Sequence, residues 1–119
     1  MSNSPQDVHK KVLGRKGERA VEKYLKQSGM QLLFRNYQTP FGEADIIAKD
    51  KDEIVFVEVK TRSSNEYGSG AEAVGKSKQQ RYYKIAQYYG LQHGEEINAR
   101  FDVAEVSAAL QIEYFKNAF

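Results

Sequence analysis

Residues 54–61, Ile-Val-Phe-Val-Glu-Val-Lys-Thr, constrain this chain more than any other stretch. Read as a strand, Val55, Val57 and Val59 line one face, and Ile54, Phe56, Glu58 and Lys60 line the other. Apolar residues on both faces require a strand that is covered on both sides. The run nevertheless ends in a carboxylate and an ammonium group one pleat repeat apart, roughly 6.6 Å along the strand. A charge in a covered strand costs several kcal/mol unless it is paired or binds a metal. Whatever fold forms must therefore bring compensating groups to Glu58 and Lys60.

The preceding run poses the same problem. Residues 43–49 read as a strand that carries Asp45, with Ala44, Ile46 and Ala48 on one side and Glu43, Asp45 and Ile47 on the other. Asp50 to Asp52 form a hairpin turn, and residues 30–37 form an earlier strand that enters a turn at Thr39-Pro40-Phe41-Gly42. Upstream, residues 8–28 have helical periodicity and Gly29 is a natural stop. Gly14, Gly17, Val21, Tyr24, Leu25 and Ser28 fall on the inner face of this helix. Arg15, Lys16, Arg19, Glu22, Lys23 and Lys26 fall on its outer face, with Glu18 at the border. Glycines inside a helix lower its propensity and point to the close approach of another backbone or a ligand. Glu18 has one local partner, Arg15 three residues earlier, and that bland pairing competes with a functional role.

Downstream, residues 61–70 are polar and glycine-containing, the composition of a mobile loop. Residues 71–91 read as a second helix, with Val74, Ser77, Ile85 and Tyr88 or Tyr89 facing inward. Tyr82 and Tyr83 are interleaved with its bases, either as core or as a stacking platform. Residues 100–106 and 111–115 are two further strands. Residues 1–7 read as a disordered tail and residues 8–119 as one domain. The expected class is α/β, a mixed central sheet flanked by helices.

Charge is distributed unevenly along the chain: +5 over residues 1–37, −4 over 38–72, +4 over 73–92 and −3 over 93–119. An acidic centre between basic segments fits a metal site within a phosphate-binding surface, although isolated basic helix faces are usually just solvated. The absence of cysteine excludes disulfides and cysteine-based zinc sites. No apolar run has membrane-spanning length and the N-terminus has no apolar leader core, so the expectation is a soluble cytoplasmic protein without a membrane partner. His9 and His93 are too isolated for a histidine metal site. Ser63 and Ser64 lack a nearby base, and Gly68 and Gly70 lack the lysine of a phosphate-binding loop. Asp102 reads as a structural partner for Arg100.

Asp45 with Glu58-x-Lys60 makes chemical sense for phosphodiester hydrolysis. Two hard carboxylates suit Mg2+, or Mn2+ in its place, which keeps waters and contacts phosphate directly. A lysine beside the attacking water orients it, or acts as base if its pKa falls. Glu18 supplies a third carboxylate if the first helix packs beside the site. The competing reading is an ordinary Glu–Lys pair along a strand.

Several motifs together resemble a known family. Gly14-Arg-Lys-Gly-Glu18, Arg35-Asn-Tyr37, Gly42-Glu-Ala-Asp45-Ile-Ile, Phe56-Val-Glu-Val-Lys-Thr-Arg62, Lys78-Gln79, Arg100-Phe-Asp-Val103 and Asn117-Ala-Phe119 look like the small bacterial YraN-type proteins. Those proteins are placed in the restriction-endonuclease-like superfamily of Asp…Glu-x-Lys nucleases, near archaeal Holliday-junction resolvases. The resemblance runs from about residue 10 to the C-terminus. It implies a restriction-endonuclease-like fold in which Asp45, Glu58 and Lys60 match the superfamily motif and Glu18 matches a first-helix glutamate of resolvase-like members. Alanine stands before Asp45 where the motif often has proline. Arg62, Lys78 and Gln79 become candidate phosphate contacts. The implied activity is metal-dependent cleavage of DNA, including branched or structured DNA, with paired incision favouring a symmetric dimer. The alternative is a non-catalytic module that binds nucleic acid or protein on the same fold.

Overall fold

A computed structural model describes residues 5–62, 74–94 and 96–119, with side chains from residue 12 onward. Helix α1 spans Pro5–Gln27, followed by strands β1 (Gln31–Thr39), β2 (Gly42–Asp50) and β3 (Glu53–Thr61). Helix α2 (Lys76–Gln92) leads to β4 (Asn98–Val106) and β5 (Ile112–Phe115). The five strands form one sheet in the order β1-β2-β3-β4-β5. Pairing is antiparallel except between β3 and β4, which run parallel from Glu53 opposite Asn98 to Thr61 opposite Val106. Parallel neighbours need a long crossover, and α2 lies within it. The result is a mixed sheet between two helices, the α/β arrangement expected of a restriction-endonuclease-like domain.

Strand β3 is central and covered on both faces, as its composition requires. Val55 and Val57 join Val21 and Leu25 of α1, Ile46, Ala48, Ala104 and Val106 in one core layer. Ile54 and Phe56 join Ala44 and Ile47 with Tyr82, Ile85, Ala86 and Tyr89 of α2 in the other. Tyr82, left open by sequence, is core; Ser77, expected to face inward, is exposed.

The structure departs from the sequence reading at several points. α1 begins at Pro5, inside the stretch read as a tail, where proline's missing N–H has no helical partner to lose. Residues 1–4 lie outside the described residues, as do residues 63–70 of the expected loop and 71–73 of the expected helix. Glu22, assigned to the outer face of α1, is buried and accepts a hydrogen bond from Arg35 Nη2 at 2.8 Å, because α1 packs across β1 as well as β3. Tyr24, assigned to the inner face, lies at the margin against Tyr114, with ring centroids 5.2 Å apart. Strand β2 also breaks its alternation. Ala44 sits in the α2 layer with Ile47, whereas Ile46 and Ala48 sit in the α1 layer.

Of the α1 glycines, Gly17 explains itself. A Cβ there would lie 2.5 Å from Thr61 Oγ1, so only glycine lets α1 settle onto the end of β3. Gly14 has open space around it. At the opposite end of the sheet, Arg100 and Asp102 form a buried pair through two 3.0 Å hydrogen bonds. Arg100 also reaches Asp50 at 2.8 Å and Glu53 at 3.0 Å, while Asp102 accepts from Tyr114 Oη and from the Asn117 N–H. The structural role expected of Asp102 is this clamp, which ties the β2–β3 turn and the C-terminal residues to β4.

Candidate active site

The break in β2 alternation is what builds the site. Pairing of β2 with β3 runs from Asp50 opposite Glu53 only as far as Ile46 opposite Val57. Beyond that point the Val59 N–H has no β2 carbonyl to bind, and Asp45 Oδ2 accepts it at 2.9 Å. On the other side of β2, Asn36 of β1 adopts a left-handed conformation (φ 51°) between the pairs Arg35–Ile46 and Tyr37–Ala44. Asparagine tolerates that region better than most residues. A local kink thus leaves Asp45 in the fork between strands instead of on a regular face.

Glu58, one residue before the N–H that Asp45 binds, is buried and points to the α2 side. Its Oε2 accepts from Tyr82 Oη at 2.6 Å, and its Oε1 accepts from Lys78 Nζ. Lys78 and Tyr82 are four residues apart on one side of α2, so a single helix face grips both carboxylate oxygens. Lys60 Nζ stands 3.8 Å from the same Oε1. These partners supply the compensation that a carboxylate in a covered strand demands.

Among the described residues, Asp45 has no such cation within ion-pair distance. Burial first, and the charge of Glu58 second, push its carboxyl up from an ordinary 3.8 to about 7, against the stabilising Val59 N–H. Burial also raises the proton affinity of Glu18; a hydrogen bond with Asn36 opposes this, while the charges of Glu43, Glu22 and Glu58 add to it. Lys60 is held below the usual lysine range by burial and then by the nearby Lys78 ammonium. Tyr82 is pushed well up by burial and by the charge of Glu58, so its phenol stays a donor. The site is therefore electrostatically frustrated, with Asp45 and Glu18 held above the usual carboxylate range near a lysine held below its own.

Of the residues singled out by sequence, Asp45, Glu58, Lys60 and Lys78 come together. Glu18 senses the charge of Glu58 and is engaged by Asn36, not by the Arg15 of the competing bland reading. Among the described residues, no three acidic or histidine side chains converge as a ready metal cluster. Gln79 uses its amide on the Val74 carbonyl at 2.9 Å, at the start of α2. Arg62 approaches the buried Glu105 at 3.4 Å and remains partly exposed. Tyr82 is the site residue that sequence reasoning missed as such. The signal was its spacing of four from Lys78, on the helix following the Glu58 strand.

The donor set fits a hard divalent cation. Mg2+ is commonly held by one or two carboxylates with waters and substrate phosphate completing its octahedron. Asp45 and Glu58 provide two hard oxygen donors whose mutual repulsion a bound cation would relieve.

Comparison with known proteins places the chain among relatives. Residues 17–106 match the family described as Uncharacterised protein family UPF0102. A UPF0102 protein of Alkaliphilus metalliredigens is 46% identical over 112 residues, covering 92% of this chain and 98% of the relative. One from Desulfosudis oleivorans is 44% identical over 108 residues, covering 89% and 88%. One from Clostridium acetobutylicum is 44% identical over 115 residues, covering 92% and 94%. The chain belongs to this family, UPF0102, the YraN-type proteins its motifs resemble.

Proposed function

We propose that the chain is a metal-dependent nuclease that hydrolyses phosphodiester bonds in DNA. The observation that carries this reading is the convergence of Asp45, Glu58 and Lys60 at the strand fork, beside the basic helix α2. Asp45 and Glu58 would hold Mg2+ or Mn2+, with Glu18 adding negative charge from α1. A divalent ion bound there supplies an activated water and offsets charge on the leaving oxygen.

The chain's own groups do the rest. Lys60 Nζ, with its weakened hold on a proton, orients the attacking water and, when neutral, accepts its proton. Lys78, now on Glu58, is the nearest ammonium to place against a phosphate oxygen, and Arg62 is a further candidate beside β3. Tyr82 keeps Glu58 Oε2 fixed while Oε1 exchanges partners. Incision of both strands of one DNA calls for two copies related by a two-fold axis.

One observation favours a second reading. Glu58 is already satisfied by Tyr82 and Lys78, as suits a binding module without catalysis. Incubation with supercoiled, single-stranded and four-way-junction DNA in Mg2+ or Mn2+ separates the two. The nuclease reading expects cleavage that Asp45→Ala and Lys60→Ala abolish. No cleavage by the wild type, or full cleavage by either variant, overturns it.

A further inference from the structure

The turn between β1 and β2 carries an aromatic ring that neither core layer uses. Phe41 is 43% exposed, although its neighbours hold it in place. Lys84 Nζ lies 5.9 Å from its ring centroid, and the Tyr88 ring meets it edge-on at 6.5 Å. Gly42 brings the turn so close to α2 that a Cβ there would lie 3.1 Å from Arg81 Cδ, and its φ of 128° also favours glycine. Phe41, Ser77, Gln80, Arg81 and Lys84 line an open recess of about 410 Å³.

The recess neighbours the candidate active site along α2, whose Lys78 grips Glu58, without sharing a lining residue with it. Ser77, Arg81, Lys84 and Tyr88 recur at helical spacing on one face of α2, a helix with no acidic residue. Lys78, which grips Glu58, precedes Arg81 by three residues, a rise of about 4.5 Å. A larger recess of about 870 Å³, toward the other end of α2, is lined by Tyr83, Leu91, Ile97 and Phe101 among others. Unlike the Phe41 recess, it has no basic side chain in its lining among the described residues.

We propose that the Phe41 recess takes a single-stranded segment of nucleic acid. An unpaired base stacks on the exposed face of Phe41, and the flanking phosphates lie on Arg81 and Lys84. A ring set between bases satisfies both parts of a nucleotide at once: the ring offers a surface to any base, and the cations neutralise the backbone. A paired duplex keeps its bases stacked on each other and offers no face to the ring. An acidic peptide would meet the cations and leave the ring uncovered. The inference deepens the nuclease reading and rests on it for the chemistry: the substrate has unpaired bases beside the phosphate to be cut.

Fluorescence anisotropy in EDTA tests the recess apart from cleavage. The probes are a labelled oligothymidine and a blunt duplex of equal length. The wild type is expected to bind the single strand more tightly. Phe41→Ala should weaken that binding roughly five- to a hundredfold and leave duplex affinity in place, while Phe41→Trp restores it. Arg81→Gln and Lys84→Gln should weaken both probes and each reduce the salt slope by about one. Thermal melts establish that every variant is folded at the assay temperature. The inference is overturned if folded Phe41→Ala binds oligothymidine like the wild type, or if the duplex is preferred. It is overturned equally if polyglutamate of matched charge competes as well as the oligonucleotide. Failure of cleavage in metal overturns the nuclease reading alone, because the binding is read without metal.

Discussion

Replacing Asp45 by asparagine tests the frustration of the site without changing its shape. The amide keeps an oxygen for the Val59 N–H, bound at 2.9 Å, and removes the negative charge. In the wild type, burial and Glu58 push the Asp45 carboxyl from 3.8 to about 7. A folded-state pKa above the unfolded one fixes the sign. The contribution of this group to stability is greatest below about pH 4, where both states hold the proton. It is lost as pH rises through about 7, where the folded state must give the proton up. At about 1.4 kcal/mol per pH unit, the interval from 3.8 to about 7 corresponds to about 4 kcal/mol. Relaxation and water access at this partly open position reduce that to about 2–4 kcal/mol. Asp45→Asn should therefore raise the free energy of unfolding by about 2–4 kcal/mol at pH 8 and by little at pH 4. Urea titration followed by tyrosine fluorescence reads it directly, since the chain has eight tyrosines and no tryptophan. A loss of stability at pH 8, or an equal gain at both pH values, refutes the claim that a buried charge beside Glu58 burdens this fork.

Three other perturbations probe the supports of the site. Tyr82→Phe removes the 2.6 Å donor to Glu58 Oε2. It should cost about 1–3 kcal/mol in urea melts and weaken manganese binding on the order of 10–100-fold by calorimetry. Gly17→Ala drives a methyl to 2.5 Å from Thr61 Oγ1. It should destabilise by about 1–3 kcal/mol despite alanine's better helix propensity, and Thr61→Ala in the same chain should recover most of the loss. Arg100→Met leaves the fully buried Asp102 carboxylate without its cation, with the Tyr114 hydroxyl and the Asn117 N–H as its remaining donors among the described residues, and thermal or urea unfolding should register a loss of about 3–5 kcal/mol.

The sequence made the central strand legible and concealed the fork beside it. Alternation in Ile54 to Lys60 predicts both faces of β3 correctly, because a strand buried on both sides has no freedom to slip. The need to compensate Glu58 was equally readable, and Lys78 was in view as a basic residue, although its partner was not. Asp45 was a different matter. Its position depends on where β2 and β3 part and on the left-handed Asn36 across the sheet, both products of tertiary pairing. Regular alternation therefore misplaced Ala44 relative to Ile46. Glu22 was misassigned for a related reason: periodicity gives the faces of α1 but not that β1, with Arg35, packs along its flank. Tyr82, open between core and stacking platform in the sequence, is core. Its hydroxyl became a site group only once α2 was laid over Glu58.

Calorimetric titration with manganese asks most directly whether the Asp45–Glu58 pair is a metal site or a structural charge cluster. Saturable binding is expected at one site per chain at pH 8, weakening as pH falls through about 7, where Asp45 regains its proton. Binding should be lost in Asp45→Asn and Glu58→Gln while both variants remain folded by circular dichroism. Absence of heat and of any manganese-induced rise in melting temperature in the wild type, or undiminished binding in both variants, would contradict the metal-site assignment.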